Sequence, residues 1–454
     1  MTEFTNIADA TDLAGAIATG RISADAALDA ARGRAGAMAD LGAITWMADT
    51  VPVAEDGPFT GVPTLAKDLG GPFAGIPMRA GSAALARMKG LSDSDLAARF
   101  RAAGFRVFGA TTVPEFGLSL SSEPAVGPVC RNPLDPSRIA GGSSGGAAAA
   151  VAAGIVPLAH ATDAGGSIRV PAACCGLIGL KPTRGAVPGG PGFGNHLGGI
   201  ATEFAITRTI RDARALWPCL TGQARGPFPD PVQYAERPGL KIGLLTDAKG
   251  IDPDRAEAVT RAAALLEEAG HQIIEIPAQA LTPIRRASAR AFERIVSVNL
   301  AGLVATGLDP EQTEPLTQAF IERGLTMSAV DLWSALDQSV QAAHKLWQVF
   351  DRIDVLLTPM LATAPPALGS FPMDHRDCAT QIERMDAFAP FAALANVTGA
   401  PALTLPVGAD AQGLPLPVQL IGPMGSDLQL LGLGATIEAA GQWHHPIAMF
   451  GAPS

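Results

Sequence analysis

The sequence predicts an α/β fold, a sheet covered by helices on both faces, and two observations carry that reading. Short apolar runs alternate with stretches of helical periodicity along most of the chain. The composition also suits a large core, with 48% of the residues apolar and only 17% charged. At 454 residues the chain is long enough for one large α/β domain with insertions, or for several average domains.

Taken in order, residues 8–40 form two helical pieces split at Thr19-Gly20-Arg21, with Ser23 placed to cap the second. Ala43–Ala48 reads as a short strand. GVPTLAKDLGG at 61–71 reads as a turn-rich segment with a single lysine, Lys67, in apolar surroundings. Asp93–Ala103 reads as a helix, Arg106–Gly109 as a strand and Thr112–Glu115 as the loop after it. Residues 144–157 have the small side chains of a helix packed closely against a neighbour, and Val156–Ala161 suggests a buried strand. Leu240–Leu245, 253–269 and Gln272–Ile276 make a strand, helix, strand unit, and Val355–Thr358 adds another strand. Residues 283–350 are mostly helical and more polar, and they interrupt the alternation as an insertion or a lid. The Gly- and Pro-rich stretch 185–199 is short for an interdomain linker and reads equally well as a loop near a site.

The formal net charge of −10 argues against a broad footprint for nucleic acid or an anionic membrane, which would need clustered Lys and Arg. A small neutral substrate is expected instead. The N-terminal MTEFTNIADATD has neither a basic nor an apolar leader segment. The most apolar stretch, Ala147–Ala159, falls short of the roughly 20 residues of a membrane span and is broken by Gly154 and Pro157. The expectation is a cytoplasmic protein with no nucleic-acid or membrane partner. Cys130, Cys174, Cys175, Cys219 and Cys378 form no CxxC pair and read as buried reduced thiols. There is no HExxH, and His444-His445 lacks a nearby acidic or thiol partner, so no metal and no cofactor are expected.

The segment AGGSSGG at 140–146 sets two hydroxyls, Ser143 and Ser144, among four glycines. A Walker-type phosphate loop would continue into Gly-Lys-Ser/Thr, and here alanines follow. A flexible linker would continue in Gly and Ser rather than run into apolar helix. Residues 141–145 match the GxSxG elbow of hydrolases, but RNPLDPSRIA before them carries two prolines and two arginines and gives no clean strand to lead into it.

A third serine changes the reading. In TDAGGSIRVPA at 162–172, Ser167 follows two glycines, and small residues let consecutive N–H groups from Ala164, Gly165, Gly166 and Ser167 converge on one point as an oxyanion hole. A serine hydroxyl needs a base, and no histidine stands in local relation to Ser167. A lysine can serve if it is neutral. Its ordinary pKa of about 10.4 must then fall by roughly 3, which corresponds to about 4 kcal/mol supplied by burial and neighbouring hydrogen bonds. Lys67, among Val62, Pro63, Leu65, Ala66 and Leu69, has the local sequence that best suits this.

These residues resemble the amidase signature hydrolases, which use a Ser-Ser-Lys triad. The resemblance runs over nearly the whole chain: TGRIS at 19–23, GVPTLAKDLG, PEFG at 114–117, RNP at 131–133, GGSSGG, TDAGGSIRVPA and CGLIGLKPTRG at 175–185. Beyond these come TRTIRD at 207–212, DVLLTP at 354–359, NVTGAPALTLPVG at 396–408 and VQLIG at 418–422. It implies one large α/β/α domain over 1–454, a mixed twisted sheet flanked by helices on both faces, with a signature core at about 60–220 and a substrate-shaping helical region at about 283–350.

Carried over residue by residue, the resemblance implies Ser167 as nucleophile, Ser143 as bridging serine after a cis peptide from Gly142, and Lys67 as terminal base. Ser144 would support that geometry, and Asp163 and Arg169 would orient the oxyanion loop. The implied reaction is hydrolysis of a small carboxylic amide, linear or cyclic, to carboxylate plus ammonia or amine through a Ser167 acyl-enzyme. The alternatives are an amidotransferase A subunit or a serine esterase of another fold. The sequence Val113-Pro114-Glu115-Phe116-Gly117 departs from the Asn-Met-Asp-Glu-Phe typical of that subunit, Thr112 stands where many relatives have asparagine, and Pro417 where glycine is usual. The loop before TDAGGSIRVPA leans toward the branch containing 6-aminohexanoate cyclic-dimer hydrolases. Relatives are often homodimers, which makes a homodimer the expectation here. Residues that shape the site are expected from 283–350 and from the loops 120–130, 185–200 and 360–395.

Overall fold

In the computed structural model the described residues are 4–451, apart from 54, 87–91, 191–195, 225, 227 and 246–247. Part of the Gly-rich stretch 185–199 therefore lies outside them. Thirteen strands are found among the described residues: β1 Ile44–Met47, β2 Pro63–Lys67, β3 Arg106–Thr111, β4 Arg131–Asn132, β5 Asp135–Ile139, β6 Leu158–Asp163, β7 Ile178–Lys181, β8 Thr202–Thr207, β9 Lys241–Leu244, β10 Gln272–Glu275, β11 Val355–Pro359, β12 Ala402–Ala409 and β13 Pro415–Ile421. Eight of them make the central sheet in the order β10-β9-β11-β13-β12-β7-β8-β6. The β10-β9-β11 end is parallel and every later pairing is antiparallel, so the sheet is mixed, as expected.

The parallel end is built by the strand, helix, strand unit read from the sequence. Its helix Pro253–Glu268 starts on a proline, which costs nothing at a first turn whose N–H groups have no partner in the helix, and buries Ala258, Val259, Ala262, Ala263 and Leu266. The two N-terminal helices, Ala10–Ala18 and Ala24–Ala37, separate where expected, and the Ser23 side chain accepts from the Ala26 N–H.

Two local readings are corrected. GVPTLAKDLGG is less turn than strand, because Pro63–Lys67 is buried throughout and pairs in parallel with β3 in a small sheet ordered β1-β3-β2. RNPLDPSRIA does contain strand, since β4 and β5 pair as a two-stranded ribbon. Its middle is half-buried or exposed, which is where Pro136 and Arg138 are tolerated, so it is not the buried strand that a nucleophile elbow would need.

Helix Gly145–Ala152 has the sequence GGAAAAVA and is buried on every side. A Cβ on Gly146 would lie 2.3 Å from the Thr112 backbone nitrogen, so only glycine allows this approach to the chain after β3. Residues 282–350 form three helices, Thr282–Ala305, Pro315–Thr326 and Ala329–Phe350, the last opened by a capping box between Ser328 and Asp331. Ile284, Ala291, Ile295 and Leu300 of the first pack with Leu316 and Phe320 of the second in an apolar cluster distinct from the main sheet core.

Candidate active site

The site forms where the ends of β2 and β6 meet the glycine loops. Lys67 is the last residue of β2 and only 3% exposed. Its Nζ donates to Ser143 Oγ at 2.8 Å, to Thr162 Oγ1 at 2.7 Å and to the Thr162 carbonyl at 3.3 Å. Desolvation pulls the lysine down to about 7, against the opposing charges of Asp163 and Glu203. At neutral pH a substantial fraction of Lys67 is therefore an uncharged amine able to take a proton.

The Gly142-Ser143 peptide is cis. A Cβ on Gly142 would fall 2.6 Å from the Ser119 carbonyl oxygen, which accounts for glycine there. Ser144 holds the loop rather than entering it: its N–H donates to the Ser167 carbonyl at 3.2 Å and its Oγ to the Thr162 carbonyl at 3.2 Å. Ser143 and Ser167 line one cavity, and the backbone bond from Ser144 ties their two loops together. Among the described residues the two hydroxyls do not hydrogen-bond each other. Such bonds are often long before substrate arrives.

The loop 163–169 is ordered from behind by a single carboxylate. Asp163 Oδ1 accepts from the Gly166 N–H at 2.7 Å, and Oδ2 from the Ile168 N–H at 3.1 Å. Arg169 grips the same carboxylate with Nε at 2.9 Å and one terminal nitrogen at 3.0 Å, and reaches Asn396 at 2.6 Å and Gln419 at 2.7 Å. Burial alone would push the Asp163 carboxyl up, but the Arg169 charge and its hydrogen bonds outweigh it and hold the group well below the usual carboxylate range.

This arrangement corrects one expectation. The Gly166 N–H is committed to Asp163, so it drops out of the oxyanion donor set. The N–H groups of Ala164, Gly165 and Ser167 form no hydrogen bond among the described residues. Gly166 keeps a different reason to be glycine: its φ is +119° and a Cβ would sit 2.8 Å from Ala392.

Several residues here were not singled out from sequence. Thr162 is a second hydroxyl on Lys67, and Asn396 closes the Asp163 and Arg169 cluster by donating to the Asp163 carboxylate and carbonyl, both at 2.9 Å. Behind β2 lies a buried pair, His160 and Glu203, each about 1% exposed. The Lys67 backbone N–H donates to His160 Nδ1 at 3.1 Å, which places the ring proton on Nε2, facing Glu203 Oε1 at 3.1 Å. Glu203 Oε1 also accepts from the Gly71 N–H, while Oε2 has no partner among the described residues. The available signal was an imidazole and a carboxylate within strand segments, in LAHATD and TEFAIT.

A cavity of about 680 Å³ opens over Ser143 and Ser167. Parts of the four segments expected to shape it contribute, through Leu120, Leu197, residues 289–308 and residues 382–393, while the helices Pro315–Thr326 and Ala329–Phe350 of the expected region 283–350 do not line it; the segments 69–85 and 116–118 add to them. Phe116 lines it with a φ of +48°, a conformation that costs a non-glycine residue roughly 1–2 kcal/mol. The neighbouring Glu115, 1% exposed, ties this loop to the helical region, accepting from Thr317 Oγ1 at 2.5 Å and from the Glu314 N–H at 2.7 Å. Cys174 and Cys175 are fully buried; burial pushes the Cys174 thiol up to about 12 and Cys175 well above its ordinary value, in keeping with packing residues.

The chain is similar to known amidases over nearly its whole length. The amidase family model matches residues 35–431. The chain is 32% identical to a 6-aminohexanoate-cyclic-dimer hydrolase of Paenarthrobacter ureafaciens, across 85% of this chain and 84% of that one. A solved structure of 6-aminohexanoate cyclic dimer hydrolase complexed with substrate superposes with a TM-score of 0.88 at 29% identity, covering 96% of this chain and 97% of the other. A bacterial aryl acylamidase of the amidase signature enzymes superposes at 0.82 with 25% identity, covering 98% and 99%.

Proposed function

The chain belongs to the amidase signature family and hydrolyses amide C–N bonds, and on that premise we propose that it works through an acyl-enzyme on Ser167, with Ser143 as proton bridge and Lys67 as base. The observation that carries this reading is the Lys67 amine, held near neutrality by burial and 2.8 Å from Ser143 Oγ, in a cavity that Ser167 shares.

The steps follow from those positions. Neutral Lys67 takes the Ser143 proton as Ser143 takes that of Ser167, and Ser167 Oγ bonds to the amide carbon. The carbonyl oxygen gains the negative charge and is met by the N–H groups of Ala164, Gly165 and Ser167. Collapse breaks the C–N bond, and the relay returns its proton to the leaving nitrogen, which departs as ammonia or an amine. Water then loses a proton to the same relay, attacks the ester and releases the carboxylate while Ser167 regains its hydrogen. Asp163 and Arg169 act as positioning residues, since a loop locked by five hydrogen bonds to one carboxylate keeps its free N–H groups aimed.

Treatment with a sulfonyl or phosphonyl fluoride, followed by peptide mapping of the native protein and Lys67→Ala, tests the assignment. A single adduct on Ser167, much slowed without Lys67, is expected. An adduct on Ser143 that forms equally well in Lys67→Ala overturns it.

A further inference from the structure

The helix Thr282–Ala305 gives the cavity a direction. Ala289, Phe292, Val296, Asn299, Leu300 and Leu303 line it, spaced so that they share one face of the helix. A Cβ on Gly165 would lie 2.9 Å from the Phe292 ring, so the oxyanion loop abuts the helix at Phe292. At 1.5 Å per residue the lining continues roughly 16 Å beyond that point to Leu303, and only about 5 Å the other way to Ala289. A carbonyl held by the loop therefore has a short space on one side and a long apolar trough on the other.

Polar groups in the lining are few and placed unevenly. At the short end Asp386 is neutralised by Arg285, whose nearer contact is 2.8 Å. Along the trough stands Asn299, half-buried, seven residues or about 10 Å past Phe292, its side chain without a hydrogen-bond partner among the described residues. A carboxylate or ammonium there would lose its water without gaining an opposite charge, whereas a neutral amide or hydroxyl would find both a donor and an acceptor.

Resting on the acyl-enzyme reading above, we propose that the substrate is an uncharged, extended amide, one arm of which is an apolar stem of about 10 Å carrying a neutral hydrogen-bonding group that Asn299 receives. The bond broken is the amide at Ser167, and the remote group takes no part in the reaction.

The test uses two homologous series, n-alkanamides and N-alkyl acetamides, with stems of two to twelve carbons and tips of methyl, carboxamide, carboxylate or ammonium, read as kcat/KM. One series is expected to rise about a hundredfold with stem length before levelling, as each methylene enters the trough. On the favoured stem, a carboxamide tip is expected to exceed both charged tips by about tenfold or more, and Asn299→Leu to remove about tenfold of the carboxamide rate relative to the methyl-tipped compound. Leu303→Trp, filling the trough, is expected to lower the longest stems most. Flat series, a preference for a charged tip, or a carboxamide preference that survives Asn299→Leu each overturn the proposal. Fluoride labelling of Ser167 run on the same preparation separates the two readings. Labelled enzyme without the length dependence sinks only the substrate proposal, and absence of labelling sinks the acyl-enzyme reading with it.

Discussion

Where the cavity is bounded by the ends of β2 and β6 and the glycine loops, charged and hydroxyl groups are fixed by hydrogen bonds; where it is bounded by helix Thr282–Ala305, the surface is hydrocarbon with one asparagine. The first wall locks Asp163 with Arg169, Asn396 and three backbone N–H groups, and sets Lys67 against two hydroxyls. The second is built on an apolar cluster in which Val296 is buried and against which Phe292 and Leu303 pack, and the same three side chains line the cavity. On the two proposals above the difference divides the labour: bond breaking would depend on the groups held by hydrogen bonds, and choice of substrate on the length and chemistry of the trough.

The sharpest way to test that division is to remove the proposed nucleophile. Ser167→Ala is expected to lower kcat/KM by at least about 10⁴-fold for every substrate alike, with thermal unfolding unchanged within a few degrees. A loss confined to some substrates would place Ser167 in selection rather than chemistry. The next largest effect is on stability. Arg169→Met would leave the Asp163 carboxylate buried without its cation, and breaking such a pair costs about 3–5 kcal/mol, readable as a lowered urea midpoint. An unchanged midpoint would mean that the loop is held by its backbone and not by this cluster.

The base is tested through pH, and the fold supplies an internal control. Lys67 and Lys181 are both buried, and burial pulls both down to about 7. Lys67 Nζ faces Ser143, whereas Lys181 Nζ donates to the Pro182 carbonyl at 2.8 Å. The proposed relay requires the neutral amine, so kcat/KM should fall as pH drops through about 7. Lys67→Met is expected to lose about 10²–10⁴-fold together with this acid limb, and Lys181→Met to keep the limb. A limb that followed Lys181 would reverse the assignment.

The same contrast explains what could be read from the chain. Lys67, Ser143 and Ser167 could be proposed because each stands beside small or apolar residues, and the family resemblance then separated Ser143 from its neighbour Ser144. The strand, helix, strand unit at 241–275 was legible from periodicity. The partners were not. His160 and Glu203 lie on strands joined only by the β6-β8 register, in which Thr162 faces Glu203, and no local pattern carries a cross-strand pairing. Nor could spacing show that the Gly166 N–H turns back to Asp163 instead of toward the oxyanion, since that depends on a loop dihedral. For helix Thr282–Ala305, periodicity identifies apolar positions but does not separate those that fill the core, such as Ile295, from those that line the cavity, such as Phe292.

The smallest expected effect probes how far the fixed wall extends. Glu203 is a carboxylate inside the protein with one oxygen unpartnered, and its negative charge favours the protonated form of Lys67, as does that of Asp163. Asp68, next along the chain, has its carboxylate turned to the Arg79 and Gly81 N–H groups, and Asp163 is bound by Arg169, so Glu203 is the charge that can be removed with the geometry kept. Glu203→Gln preserves an acceptor for the His160 and Gly71 N–H groups. Without the charge, Lys67 releases its proton more readily, and the acid limb of kcat/KM should move to lower pH while the plateau and KM stay near their original values. A role confined to packing would change stability and leave the midpoint where it was. A midpoint that stays put, or moves to higher pH, would show that burial and Asp163 tune the base without Glu203 and that the fixed wall ends at Thr162.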